Sequence, residues 1–255
     1  MKYKVGIIGS EGKIGKIRRS IILNRDDVIL KAVCDTKEEV FSYSDYLHTY
    51  DDWKWMLEKE DLDIVFVCTP HSLIPDITIK ALKNGCHVFA EKPPGINLKD
   101  VKRIKKAYES NKDLKLQFGF NHRWHDSIMR TYRILKNKEL GKLLWMRGVY
   151  GKSQLENWRK DVNLAGHGIL LGQGIHMLDI FNLFASSPWS EIKALMTNDY
   201  YKYHDDIEEN VFAIMRNKDG QMASIHSSAI LWKHTFNLMF GFEDGYCLVD
   251  GFLTT

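Results

Sequence analysis

Three tracts of this chain bring together side chains suited to proton transfer and to holding a charged ligand. The first is Glu91-Lys92-Pro93-Pro94. Prolines fix the backbone and restrict the residue before them, so Lys92 has a defined place. An ammonium held in this way can polarise or protonate a substrate oxygen; a turn with a solvated lysine is the alternative. The second tract is Gly172-Gln173-Gly174-Ile175-His176-Met177-Leu178-Asp179. On a helix, His176 and Asp179 share a face, and an imidazole suits acid–base work at neutral pH. A lone helical histidine is more commonly structural, so this reading also stays open. The third is Gly9-Ser10-Glu11-Gly12-Lys13-Ile14-Gly15, followed about 20 residues later by Asp35. Glycines after a strand let the backbone approach a pyrophosphate that sits on the next helix N-terminus, and an acid ending the second strand can accept the ribose hydroxyls of NAD. The spacing is one residue looser than the GxGxxG form.

The elements around these tracts support that placement. Tyr3–Ile8, Val28–Cys34, Asp63–Cys68, His87–Ala90 and Leu114–Phe118 read as strands, several as the continuous apolar runs of a buried parallel sheet. Between them, helical spacing runs through Ile17, Ile21 and Ile22, over Glu38–Leu47 and Asp51–Leu57, and over Ile74–Leu82. It returns from Leu98 to Tyr108, where Asn97 can cap the helix. Alternating strands and helices make a parallel sheet covered on both faces. Its ligands bind at the C-terminal strand edge, where the glycine turn, Asp35, Thr69-Pro70-His71 and Glu91-Lys92 all fall.

After Gly119 the pattern changes. Phe120–His125 is polar and aromatic, and Ile128–Leu135 is helical. Leu143–Tyr150, Glu191–Met196, Glu209–Met215, Gln221–His226 and Phe236–Phe240 read as strands of an antiparallel sheet. A long irregular loop with Trp158-Arg159 leads to a helix from Ile169 through Phe184. Gly172 and Gly174 are unfavourable there by up to roughly 1 kcal/mol each, so something is expected to approach that backbone closely. The expected division is residues 1–119 and 120–255.

Composition narrows the function classes. With 36 basic and 33 acidic residues the net charge is +3, too balanced for a nucleic-acid-binding face. The basic residues of 13–19 and 102–106 are expected to be solvated helix faces, the first group also an attractor of cofactor phosphates. Cys34, Cys68, Cys86 and Cys247 form no CxxC pair, so reduced buried thiols are expected and no metal site. No apolar run is long enough to span a bilayer, and MKYKVGIIGS lacks a signal-peptide core. The expectation is a cytoplasmic protein without membrane or nucleic-acid partners.

Together, the glycine turn, Cys34-Asp35, Thr69-Pro70-His71-Ser72, Glu91-Lys92-Pro93, Asn121-His122-Arg123 and Gly174–Asp179 resemble the glucose–fructose oxidoreductase and inositol dehydrogenase (Gfo/Idh/MocA) family, in family order. The tracts from Tyr150 to Arg159 and from Asp219 to Trp232 are similar to members acting on sugars and nucleotide-linked sugars. The resemblance implies an α/β chain: a Rossmann-fold parallel sheet, then an α+β domain with an open, mostly antiparallel sheet. It implies hydride transfer between nicotinamide and a sugar carbinol or keto carbon, a place in surface glycan synthesis, NAD rather than NADP, and a homodimer or homotetramer. It assigns cofactor binding to Gly9, Ser10, Gly12, Lys13, Ile14, Gly15, Asp35, Thr69, Pro70, His71, Glu91 and Lys92. Lys92 and His176 become the catalytic pair, with Asn121, Arg123, Trp158, Arg159, Gln173 and His176 lining the substrate cleft. Two departures stand out. Gly172 takes the place of the family's aspartate, and His167 that of a glycine. The tract Val249–Thr255 stops short of the further sheet and C-terminal helix of family members, which implies an exposed sheet edge. A non-catalytic dinucleotide-binding relative, serving as sensor or scaffold, is the competing reading. A reductase of other small carbonyl compounds is a third.

Overall fold

A computed structural model describes residues 2–42, 47–155 and 157–251. These fall into two compact units, one running to Gly119 and the other beginning at Phe120.

In the first unit, strands β1 (Tyr3–Ile8), β2 (Val28–Cys34), β3 (His48–Tyr50), β4 (Ile64–Val67), β5 (His87–Ala90) and β6 (Leu116–Phe118) alternate with helices α1 (Lys13–Leu23), α2 (Trp53–Lys59), α3 (Ile74–Lys83) and α4 (Leu98–Glu109). All strand pairs are parallel, in the order β3-β2-β1-β4-β5-β6. This is the doubly wound order, with its crevice where the winding reverses beside β1. Successive strand residues face opposite sides. Val5, Ile7 and Val33 pack with Ile22 and Val40 on one face. Ile8, Ala32, Cys34, Val65 and Val67 pack with Met56, Ile77 and Ala81 on the other. Burial on both faces is why the central strands are uninterrupted apolar runs. Asn97 caps α4 by accepting from the Asp100 N–H at 3.0 Å, as its sequence position suggests. One expectation is corrected. The segment from Glu38 forms only a short 3-10 turn to Ser42, and residues 43–46 of the expected helix lie outside the described residues. Strand β3, to which the sequence pattern assigns nothing, pairs with β2 through its backbone.

The second unit holds helices α5 (Asp126–Asn137), α6 (Val162–Ala165) and α7 (Ile175–Phe184) and strands β7 (Leu143–Gly151), β8 (Trp189–Thr197), β9 (Asn210–Asn217), β10 (Met222–Ser228), β11 (Thr235–Phe242) and β12 (Tyr246–Asp250). The sheet order is β12-β11-β7-β10-β9-β8. Every pair is antiparallel except β7 with β10, which makes the sheet mixed. One face is covered: Met146, Ile225, Leu238 and Phe240 pack against Met177, Ile180, Phe181 and Phe184 of α7 and Ile128 of α5. The opposite face is open, with Leu195 80%, Phe212 54% and Ile214 52% exposed. β12 forms one edge of the sheet, and residues 252–255 lie outside the described residues.

Candidate active site

In the first unit, the chain leaves β1 through a turn in which two glycines are obligatory. Gly9 has φ +83°, and a Cβ there would lie 2.5 Å from the Cys68 carbonyl oxygen. A Cβ on Gly15 would lie 2.0 Å from the Gly9 carbonyl oxygen. Gly12 differs: it has φ −68°, and a Cβ there would meet the Gly9 carbonyl oxygen at an ordinary 3.5 Å. Neither backbone conformation nor protein packing requires glycine at that position. It also begins α1 without a side-chain cap, so the helix N-terminus offers its first N–H groups outward. A group that must come close to the backbone, such as a pyrophosphate, accounts for that glycine. The dinucleotide therefore fits this turn.

Asp35, just past β2, closes over the same turn. Its carboxylate accepts from the Glu11 N–H at 2.8 Å and the Lys37 N–H at 3.2 Å, while Lys37 Nζ lies 3.5 Å from the Glu11 carbonyl oxygen. The Glu11 side chain turns inward and is nearly fully buried. It accepts from Ser10 Oγ at 3.0 Å and Arg19 at 2.9 Å, with Lys16 Nζ at 3.7 Å. Arg18 stacks on the Phe89 ring and donates to Glu91 at 2.7 Å. Arg18 and Arg19 are thus largely buried ion-pair partners and not the solvated helix face expected from sequence. Ser10 and Glu91, assigned to the cofactor, have both side chains and backbone N–H groups engaged within the protein, the latter with the Cys34 and Val67 carbonyls at 3.2 and 2.8 Å. Lys13 and Ile14 open α1. Thr69 Oγ1 is buried without a hydrogen-bond partner just past β4, His71 is buried in the turn after Pro70, and half-buried Lys92 follows β5 with a cis peptide bond to Pro93. Burial pushes the Cys34 and Cys68 thiols up to about 12, so both stay protonated and unreactive at neutral pH.

In the second unit, His176 sits on the first turn of α7, 5% exposed. The helix does not run uniformly from Ile169 as expected. Leu170–Gly174 is a π turn, in which the Ile175 N–H reaches back to the Leu170 carbonyl. A Cβ on Gly174 would lie 2.8 Å from Ser227 Oγ of β10, which is the close approach anticipated from sequence. Gly172 has no such neighbour: a Cβ there meets nothing within 4 Å. The His122 ring lies edge-on to His176 with centroids 3.8 Å apart, and stacks on Phe236 at 5.4 Å. Tyr150 is 5.5 Å from His122, 6.3 Å from His176 and 5.6 Å from His234, ring to ring. Gln173 hydrogen-bonds the Tyr150 hydroxyl, whose pKa burial raises, while Gln173 Oε1 is buried without a partner.

Arg123 is held by Asp179: its Nε donates to one carboxylate oxygen at 2.8 Å and a second nitrogen donates to the other. This bidentate pair keeps the guanidinium charged and ties the 3-10 turn Asn121–Trp124 to α7. Arg123 thereby acts first as a brace for His122, while Asn121 beside it is exposed. Trp158 and Arg159 stack on each other, half-buried, on the turn Asn157–Lys160. His122, Tyr150 and Glu11 were not assigned from sequence. His122 sits inside the Asn121-His122-Arg123 motif, and only the fold reveals that its ring meets His176.

Two family models match the chain. "Oxidoreductase family, NAD-binding Rossmann fold" covers residues 3–120, and "GFO/IDH/MocA C-terminal domain" covers residues 128–247. The chain belongs to the Gfo/Idh/MocA oxidoreductase family. Within it, the chain is 28% identical over 183 residues to D-glucoside 3-dehydrogenase of Escherichia coli, covering 69% of this chain and 52% of that protein. It is 27% identical over 233 residues to myo-inositol 2-dehydrogenase of Thermotoga maritima, covering 88% and 68%. The chain thus spans about half to two thirds of the length of these relatives. The crystal structure of the WlbA dehydrogenase from Bordetella pertussis, in complex with NADH and UDP-GlcNAcA, superposes with a TM-score of 0.89 at 20% identity, covering 98% of this chain and 79% of that one. That likeness shows a shared fold. Against the family pattern, exposed His167 faces a cavity of about 580 Å³ that Leu171, Ile175 and Asp206 also line.

Proposed function

We propose that this Gfo/Idh/MocA member moves a hydride between NAD and a carbinol or keto carbon of a sugar or nucleotide-linked sugar. NAD, when bound, supplies the hydride acceptor or donor. The Gly12 turn and the α1 N-terminus hold its phosphates, and Asp35 accepts its ribose hydroxyls and disfavours a 2′-phosphate by like charge. Lys37, bent over the same turn, moderates that preference. Lys92 polarises the substrate oxygen and stabilises charge developing on it. His176 Nε2 or Nδ1 takes the hydroxyl proton in oxidation and returns it in reduction. His122 and Tyr150 hold the imidazole in one orientation, and Gln173 holds Tyr150. The relatives named for glucosides and inositols, and the UDP-sugar in the Bordetella complex, support the substrate class.

The observation that carries this reading is Gly12, a glycine required by neither conformation nor packing at the mouth of the doubly wound crevice. Gly12→Ala should fold with an unchanged melting temperature and bind NADH about tenfold more weakly. Fluorescence titration of wild type and variant with NADH and NADPH measures this. Equal NADH affinity in the two proteins overturns the phosphate-cradle role, and tenfold tighter NADPH binding by the wild type overturns the NAD preference. Gly172 favours a second reading, a binder without turnover, because the family's carboxylate is missing four residues before His176. Reduction of NAD by a panel of glycosides, inositols and UDP-sugars separates the two: binding without NADH formation supports the second.

A further inference from the structure

Strand register puts three loops of the second unit at one end of its sheet. Thr197, Asn210, Ser228, Gly151 and Thr235 lie side by side across β8, β9, β10, β7 and β11. The connections after Gly151, between Thr197 and Asn210, and between Ser228 and Thr235 therefore emerge together, and all three carry aromatic residues. Trp232 is 69% and Tyr200 59% exposed, and their rings meet edge to face at 5.6 Å. Tyr200 contacts Tyr201 at 4.7 Å, and Tyr201 stacks on Tyr203 at 5.1 Å. Tyr201 also donates to the Ser153 carbonyl, and Lys160 lies over the Tyr203 ring.

The Tyr200 half of this exposed pair is firmly anchored. Glu209, 1% exposed, accepts from the Tyr200 and Tyr201 N–H groups at 3.0 Å each and from the Lys202 N–H at 2.6 Å. A buried carboxylate thus clamps three successive amides. Lys202 and Trp232 both hold left-handed backbone, φ 53° and 61°, which bulky residues rarely adopt. Such strain persists where the surrounding structure imposes it, commonly at ligand sites. In the chain, Trp232 lies two residues before His234, whose ring meets Tyr150.

We propose that Trp232 and Tyr200 form a subsite for a second ring, covalently linked to the sugar ring that reacts at His176. Two rigid aromatic rings set edge to face offer a small apolar corner, with a flat indole face on one side, at little entropic cost. That surface is far smaller than the roughly 800 Å² per partner of a stable protein contact, so it suits one ring of a small ligand. The rim residues Asp199, Lys202, Lys233 and His234 are exposed and polar, suited to hydroxyls or phosphates around such a ring. The ring is either a glycosidic sugar residue, whose C–H face packs on the indole, or a nucleobase, which stacks on it. The inference rests on the sugar-substrate reading above.

The test is calorimetric binding to the NAD-loaded full chain of three probes: methyl β-glucopyranoside, methyl β-cellobioside and UDP-glucose. At least one two-ring probe should bind about tenfold more tightly than the single-ring probe. Trp232→Ala and Tyr200→Ala should each remove most of that advantage and leave methyl glucoside affinity within about twofold. Saturation-transfer NMR should show the outer ring receiving magnetisation from aromatic protons in the wild type only. A cellobioside preference identifies a glycoside, and a UDP-glucose preference a nucleotide-linked sugar. If the second ring adds nothing, or both variants weaken all three probes alike, the subsite is overturned while the sugar reading stands. If no probe binds to protein that still binds NADH, both fall.

Discussion

At the scale of single residues, the proposed turnover can be tested at two positions, Lys92 and Gly172. Lys92 follows β5 at the C-terminal edge of the first unit's sheet, where the doubly wound order places ligands. Lys92→Met keeps the volume and removes the charge. Turnover on a proven substrate should fall by about 10²–10⁴, with NADH affinity within a few-fold of wild type; stopped-flow hydride transfer and NADH titration measure the two separately. Activity near that of wild type makes Lys92 a turn residue only. Gly172 is the converse case. The structure leaves open space where a Cβ would go, so Gly172→Asp can be accommodated without a clash. A carboxylate four residues before His176, across the π turn, returns near the histidine's face and favours the imidazolium that forms as a proton is taken. We expect kcat/KM to rise severalfold, and an unchanged or lowered kcat/KM rejects the idea that the missing carboxylate limits this protein. Neither position could be weighed fully from sequence. The motif residues Lys92 and His176 were visible as a pattern, but the openness around Gly172 and the ring contact between His122 and His176 depend on how distant segments fold together. The Arg123–Asp179 pair joins residues 56 positions apart, a distance that no local spacing reveals.

At the scale of elements, β10 carries a pH-sensitive group outside the candidate site. His226 Nε2 lies 2.9 Å from the Asn210 side-chain oxygen, and its ring stacks on Phe212 at 3.9 Å. Burial holds its pKa below the ordinary 6.5. Arg147 and Lys193 line the same shallow cavity and add like charge to any imidazolium there. The unfolded chain takes up the proton first, so this contribution to stability is complete above pH 6.5 and is lost as pH falls through the lowered folded-state value. Wild type should therefore lose melting temperature more steeply on acidification below pH 6.5 than His226→Phe, which keeps the stack and cannot titrate. Parallel calorimetric profiles of the two proteins would falsify the assignment. The elements also show where sequence patterns carry information. β1 and β4 were legible because burial on both faces demands unbroken apolar runs, and α4 because its cap and its spacing agree. β3 was not, since His48-Thr49-Tyr50 holds its place by backbone pairing with β2 and needs no apolar pattern. The π turn before α7 also escaped, because one extra residue in a turn barely changes which face a short apolar pattern marks.

For the whole molecule, the unresolved balance lies in the second unit's sheet. One face is covered by α5 and α7, and the other presents Leu195, Phe212, Ile214 and Met222, each at least half exposed. Contiguous apolar surface of this kind marks an interaction site in soluble proteins. The charges nearby are few and of both signs: Arg147 and Lys193 line its central hollow, and Glu191 pairs with Arg216 at 2.5 Å. A two-fold contact brings each patch against its own copy, and a mixed-charge apolar face tolerates that self-pairing better than one of a single sign. We therefore expect the chain to be a homodimer, or a tetramer containing that dimer, joined through this face. Phe212→Asp and Leu195→Asp place carboxylates at its centre and margin, opposite like charge or apolar surface in the second copy. Because both sites are exposed in the single chain, the fold itself should tolerate them, with a change of about 0.5 kcal/mol or less. Light scattering after size exclusion should show wild type at a multiple of the chain mass and the double variant at the mass of one chain, with an unchanged circular-dichroism spectrum. A wild type that runs as one chain at tens of micromolar, or a double variant that keeps the oligomer mass, excludes this face as the contact.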